Sequence, residues 1–306
     1  MKICVLGGSG FVGRHLVERL VIDGHEVVVP SRNPSAHRDL LVLPGVRLVT
    51  ADFHTTLALR RHVSGMDAVV NLIGILHERR GGDFARIHVD IPRRVAEACE
   101  AAEVPRVLHV SALNAAANAP SRYLRSKWQG EAAFAGARFA TTIFRPSILF
   151  GPNDSFTTRF ASWLALAPGF FPLPCADARV APLHVADLAR AMIRALDARQ
   201  SFGATYDLCG SVTYTLRQWV EYIANLAGRK VRVVALGPRL SWLQASLLER
   251  IPGRPFTRDN YRTLLVDAVC RSPWPALFAP DPVSPPEIMP SYLTLPGHGR
   301  TAVISR

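Results

Sequence analysis

Lys2-Ile3-Cys4-Val5-Leu6-Gly7-Gly8-Ser9-Gly10-Phe11-Val12-Gly13 is the stretch whose reading decides the fold. An apolar run passes directly into a glycine-rich turn, and the turn opens a segment with helical spacing over 11–23. In that setting Gly7 permits a tight turn, Gly10 lets backbone approach a pyrophosphate, and Gly13 lets helix pack close to strand. The helix N-terminus adds unpaired N–H donors and the positive end of a dipole. Ser9, Phe11, Val12 and Arg14 lie in the same turn and complete a candidate anion cradle. Chance supplies such a glycine triplet only about 0.1 times in a chain of this glycine content, which makes a turn without a ligand the lesser reading.

Outward from that turn, apolar runs at 26–30, 46–50, 67–73, 106–111 and 140–145 alternate with helical patterns at 85–103 and 122–136. Strands that read apolar throughout belong to a parallel sheet covered on both faces, so the fold class is α/β, a doubly wound parallel Rossmann sheet. A seventh strand is expected at 205–209, then a helix from the N-cap Thr215 to about 227. The stretch 239–251 is amphipathic, and eight prolines follow Cys270. The expected organisation is a nucleotide-binding core over 1–150 with 186–202 returning to it. A smaller substrate or docking portion takes 151–185 and 203–270, and a Pro-rich irregular tail 271–306.

The 306 residues, 49% hydrophobic, suffice for one large or two ordinary domains and exclude disorder over the whole chain. No apolar run reaches the roughly 18 residues of a membrane span, and the first strand leaves no room for a signal peptide, so a cytoplasmic start is expected. The five cysteines (Cys4, Cys99, Cys175, Cys209, Cys270) are far apart and contain no Cys-x-x-Cys pair. They propose neither a metal site nor a disulfide and read as buried packing residues. Of the formal net charge of +12, half is spread over 1–150, and the other half falls in 229–262. There Arg229, Lys230, Arg232, Arg239, Arg250, Arg254, Arg258 and Arg262 face only Glu249 and Asp259. A solvated arginine-rich face, an acidic protein surface or an anionic membrane face would each explain the patch. Nucleic acid is disfavoured, because the aromatics there are scattered and no binding motif is present.

Nucleotide choice belongs at the end of the second strand, Val29-Pro30-Ser31-Arg32-Asn33. No carboxylate stands there for a ribose 2′-hydroxyl, while Ser31 and Arg32, with Arg14, suit a 2′-phosphate. NADP(H) is therefore preferred to NAD(H), and Asp52 after the third strand is a candidate adenine contact. Tyr123-Leu124-Arg125-Ser126-Lys127 puts Tyr123 and Lys127 on one helix face, where the ammonium can lower the phenol's pKa and reach a nicotinamide ribose. To act near neutrality the phenol must be shifted from about 10 by roughly 4 kcal/mol. Lys127 is one of only three lysines, with Lys2 and Lys230, among 36 Lys+Arg. A surface tyrosine beside a solvated cation is the plain alternative. Ser111, ending the fifth strand, would orient a substrate carbonyl or cap local backbone.

Together these residues resemble a short-chain dehydrogenase/reductase of the extended or atypical type, in the epimerase/dehydratase group. Phe144-Arg145-Pro146 with Gly151-Pro152, and Pro182-Leu183-His184-Val185-Ala186-Asp187-Leu188-Ala189, match later motifs of that family. The likeness covers about 1–228. It implies Tyr123, Lys127 and Ser111 as catalytic residues, and Leu72, Gly74, Lys127 and Pro146 as further dinucleotide contacts. A narrower resemblance is to bacterial relatives of the nucleotide-binding accessory subunit of respiratory complex I. It rests on Asn71-Leu72-Ile73-Gly74, His88-Val89-Asp90, Pro120 to Lys127, and Pro255-Phe256-Thr257-Arg258-Asp259-Asn260 with Asp267. It implies a dinucleotide-binding, oxidoreductase-like protein with an accessory or assembly role at the complex, as against a working NADP-dependent reductase, dehydrogenase or epimerase. His88 replaces the asparagine usual in the extended enzymes; a core-facing role is the commoner reading for it, and a neutral imidazole would still relay a proton.

Overall fold

The computed structural model describes residues 1–293 apart from His54 and Pro168. By its internal contacts the chain divides into two units.

The first unit comprises 1–146, 185–208 and 272–280. Its strands are β1 (Lys2–Leu6), β2 (Glu26–Ser31), β3 (Val46–Thr50), β4 (Ala68–Asn71), β5 (Arg106–Val110), β6 (Ala140–Pro146) and β7 (Thr205–Leu208). They form one sheet in the order β7-β6-β5-β4-β1-β2-β3, parallel throughout. Ile3 to Leu6 and Ala68 to Asn71 are buried at every position, as central strands covered on both faces require. Helices α1 (Phe11–Ile22), α2 (Thr56–Val63), α3 (Ile91–Ala101), α4 (Arg122–Glu131) and α5 (Val185–Asp197) belong to this unit. One core joins Leu6, Val69 and Val107 of the sheet to Leu59 of α2 and Val95 and Cys99 of α3. Arg106, buried at the start of β5, donates to the Ala195 and Leu196 carbonyls at the end of α5, to Ala140 O and to Thr142 Oγ1. It satisfies carbonyls that a helix end leaves open and so fixes α5 to the sheet.

Two expectations are corrected here. Residues 203–208 are the edge of the main sheet rather than part of the smaller portion, because β7 pairs with β6 along its whole length. The tail after Cys270 is not irregular throughout. Residues 272–280 return to the first unit, where Phe278 is fully buried with its ring 6.0 Å from Phe144 and 4.8 Å from Tyr206. Apolar burial outweighs the local effect of the prolines. The last part of the expected tail, 294–306, lies outside the described residues.

The second unit comprises, among the described residues, 147–184, 209–271 and 281–293. Its helices are Ser155–Leu166, Leu216–Leu226, Pro238–Leu248 and Arg258–Thr263, and its principal strand pair is Phe170–Pro174 with Arg232–Leu236, parallel. Phe150, Leu164, Leu173, Trp219, Ile223 and Met289 form its core. Thr215 caps its helix as expected, with Gln218 completing a capping box. Cys209 and Cys270 form a disulfide across 61 residues, against the expectation of five packing thiols. Each of the two is solitary in sequence, so spacing alone carried no sign of the pair. Cys4 and Cys99 are buried core thiols whose pKa values burial raises.

Candidate functional site

β1 has β2 on one side and β4 on the other, so the loops after β1 and β4 diverge and open a crevice at their carboxyl ends. Gly7 lies there at φ +82°, and a Cβ on it would stand 3.2 Å from both Ile73 N and Leu72 C. At Gly13 a Cβ would stand 2.3 Å from Gly7 O and 2.5 Å from Gly8 Cα, so no side chain fits. Gly10 is the N-cap of α1, which has neither a side-chain cap nor an acid in its first turn. Its first N–H groups and dipole are therefore offered to an anion rather than to the protein. Ser31 ends β2 with a buried hydroxyl that accepts from Asn33 N at 3.2 Å, and Arg32 beside it is exposed. Arg14 is held elsewhere than expected: its guanidinium pairs with Asp39, and its Nε donates to Ser9 O at 3.1 Å. The hydrogen bond from the Arg14 guanidinium draws Asp39 below the usual carboxylate range. No motif marks Asp39, which lies well past the strand end. Asp52 is exposed after β3.

Ser121 begins α4 as an N-cap that accepts from Leu124 N at 3.2 Å. Lys127 is buried and donates from Nζ to Val110 O at 2.7 Å. Burial pushes its ammonium down to about 8, opposed by Glu131 one turn on. Glu131 is clamped in turn by Arg145, with Nε to Oε1 at 2.8 Å and Nη2 to Oε2 at 2.6 Å, so β6 grips the end of α4. The loop after β4 reaches the same place: a Cβ on Gly74 would lie 3.7 Å from Lys127 Nζ and 3.6 Å from His88 Nε2. Ser111 is buried, its N–H donates to Phe144 O at 2.7 Å, and its Oγ has no hydrogen-bond partner. The alternative of local capping is thereby corrected, since the hydroxyl caps nothing.

Tyr123 departs from expectation. Burial pushes its phenol up to about 12, and the ammonium that was to lower it is turned toward Val110 O. His88 sits in a π-helical turn, Arg86–Asp90, stacked on Phe84 at 5.2 Å and edge-on to Tyr123 at 5.6 Å. Its Nε2 accepts from Ile75 N at 3.0 Å, which places the ring proton on Nδ1. Nδ1 therefore donates to Ser126 Oγ at 2.8 Å, and Ser126 donates onward to Tyr123 O at 2.7 Å. Burial, then the Lys127 charge, pushes His88 down to about 2. With both nitrogens engaged, the ring ties the loop after β4 to the turn carrying Tyr123. A proton-relay role for His88 is replaced by positioning.

The NAD dependent epimerase/dehydratase family model matches residues 3–209. The chain belongs to that family. Its cradle fits the dinucleotide the family binds: the close packing of Gly7 and Gly13 fixes the turn, the uncapped N-terminus of α1 offers donors to a pyrophosphate, and the unpartnered Ser111 hydroxyl lies on the same sheet end. The mouse mitochondrial "NADH dehydrogenase [ubiquinone] 1 alpha subcomplex subunit 9" is 33% identical over 235 residues, covering 74% of this chain. The chain spans 61% of that subunit's length. A "Ceramide reductase" from Caulobacter vibrioides is 34% identical over 194 residues, covering 62% of this chain and 59% of that protein. Among solved structures, an NADPH-dependent quinone oxidoreductase from Escherichia coli complexed with NADPH has a TM-score of 0.67 at 20% identity, covering 87% of each chain, a likeness of fold.

Within this family member the cradle from Gly7 to Gly13, Gly74, Ser111, Tyr123 and Lys127 all come from the carboxyl ends of the strands and the segments that follow them. When bound, the dinucleotide supplies hydride chemistry. Sequence reading missed Phe84, Ser126 and Asp39, whose residue types are common and whose roles exist only through folding. The late Phe256-Thr257-Arg258-Asp259-Asn260 motif is a capping box, Thr257 with Asn260, and Asp267 accepts from Arg179 N at 2.9 Å. These residues thus have structural parts within the second unit.

Proposed function

We propose that the protein is an NADP(H)-binding accessory or assembly factor of respiratory complex I, held at the inner face of the cytoplasmic membrane through 229–262. The likeness to the mouse complex I subunit carries this reading. A His88 ring with both nitrogens engaged supports it, because that ring is held as a positioning group rather than as a proton relay. Tagged protein solubilised in mild detergent should co-purify with complex I, and deletion of its gene should lower assembled complex. Failure of both would overturn the reading. Preference for NADP(H) rests on Ser31 and exposed Arg32 at the end of β2. Arg32→Asp should weaken NADPH binding about tenfold or more while sparing NADH; equal losses would refute the preference.

A second reading, an active NADP-dependent reductase, dehydrogenase or epimerase, draws on Tyr123, Lys127 and the unpartnered Ser111 hydroxyl. The Caulobacter relative points to lipid-like carbonyls as its first substrates to try. Hydride transfer on a carbonyl, sugar-nucleotide or lipid-like panel that disappears in Tyr123→Phe would establish it. Bound nucleotide that no panel member oxidises or reduces would end it.

A further inference from the structure

We propose that the solvent-facing stripe of the helix Pro238–Leu248 docks this protein onto an anionic lipid bilayer. A surface helix ordinarily buries its large apolar residues. This one does the reverse. Ser241 and Ala245 are its buried residues, at 1% and 0% exposure, while Leu240, Leu243 and Leu247 are 57%, 53% and 54% exposed. Their i, i+3, i+7 spacing puts them on one face, and Ile251, just past the helix, is 48% exposed. Phe170 and Val234 are also exposed, on the strand pair against which the helix packs. An apolar stripe of this size on a surface requires an apolar partner.

The charges say which. Arg239 and Arg250 are exposed at the two ends of the same stripe, spaced from Leu243 and Leu247 by four and three residues. Between 229 and 262, eight basic residues meet two acids, and Glu249 is paired with Arg258 at 2.6 Å. Arg258 and Arg262 lie 5.9 and 5.3 Å over the ring of Trp242, a residue type that sits well at a lipid–water boundary. An acidic protein face would answer the arginines and leave the leucines in water. A second copy laid antiparallel would cover the leucines and bring Arg239 against Arg250. A bilayer with anionic headgroups answers both, taking the leucines to the acyl boundary and the arginines at the phosphates. The helix has 11 residues, about 16 Å long, so it lies in the interface rather than across it. No helix among the described residues is long and apolar enough to cross a membrane.

The inference rests on and deepens the peripheral placement proposed above, and the vesicle measurement that decides it contains no complex I, so each can fail without the other. Full-length protein is sedimented with vesicles of phosphatidylcholine alone and of equal parts phosphatidylcholine and phosphatidylglycerol, at low and high salt. Binding should be confined to the anionic vesicles and should weaken with salt. Arg239→Gln with Arg250→Gln should reduce partition roughly 25-fold, from about fivefold per charge. Leu243→Ser with Leu247→Ser should reduce it about tenfold or more at either salt, with melting and NADPH binding unchanged because both side chains are exposed. Equal binding to both vesicles, absence of binding, or a leucine variant that binds like the parent would overturn the proposal. A leucine-dependent dimer in sedimentation velocity without vesicle binding would assign the stripe to a second copy. Loss of complex I co-purification by the leucine variant, again without vesicle binding, would assign it to a protein face. Either result overturns the proposal.

Discussion

His88 shows how much one ring can decide. Its two nitrogens join Ile75, in the loop after β4, to Ser126 and through it to Tyr123, and its depressed pKa keeps it neutral. The unfolded ring titrates near 6.5 and the native ring near 2. Between those values only the unfolded chain carries the proton, so stability is lost as pH falls below the unfolded value. By about pH 5 the loss should reach about 2 kcal/mol. Denaturant unfolding of the parent between about pH 3 and 6 should show a slope steeper by close to one proton than that of His88→Asn. The comparison cancels His109, another buried ring whose pKa burial lowers. Identical slopes would mean that His88 is not held neutral. The placement of Tyr123 and Lys127 on one helix was legible because it depends only on local spacing, whereas the turn of the Lys127 ammonium toward Val110 O was not. Ser126 was printed between them and said nothing, since its role exists only when His88 arrives from another segment.

At the scale of elements, the turn into α1 is the most constrained. Gly13→Ala would drive a Cβ into Gly7 O and Gly8 Cα. It should cost at least about 2 kcal/mol and weaken dinucleotide binding by about tenfold or more, read by thermal melting and titration. Gly81→Ala, where an added Cβ meets nothing within 4 Å, is the matched control and should change neither quantity. If Gly13→Ala behaves like the control, the glycine has no packing role. All seven strands of the sheet were legible: central strands such as β1 and β4 because burial on both faces writes a continuous apolar run, and the partly exposed edge strands β3 and β7 because they continue the strand–helix alternation. The tail was misread because proline content reports backbone preference, whereas Phe278 and Met289 are fixed by what they pack on, which no local pattern records.

At the scale of the molecule, the chain leaves the first unit after Leu208 and returns at Ser272, and the disulfide between Cys209 and Cys270 lies immediately inside both crossings. Closing a loop across 61 residues should stabilise the second unit by about 2–4 kcal/mol. Reductant, or Cys209→Ser with Cys270→Ser, should lower its melting transition by a corresponding amount. An unchanged transition after complete reduction would count against any stabilising part for the bridge.

The same bridge has a consequence for cleavage. Because its two ends bracket 210–269, a single cut by a protease anywhere in that interval leaves the two fragments covalently joined. Clipped protein would migrate as one species on a non-reducing gel and separate only when the disulfide is reduced. For a protein that offers a bilayer a stripe of leucines from within that interval, damage there would not by itself shed the polypeptide.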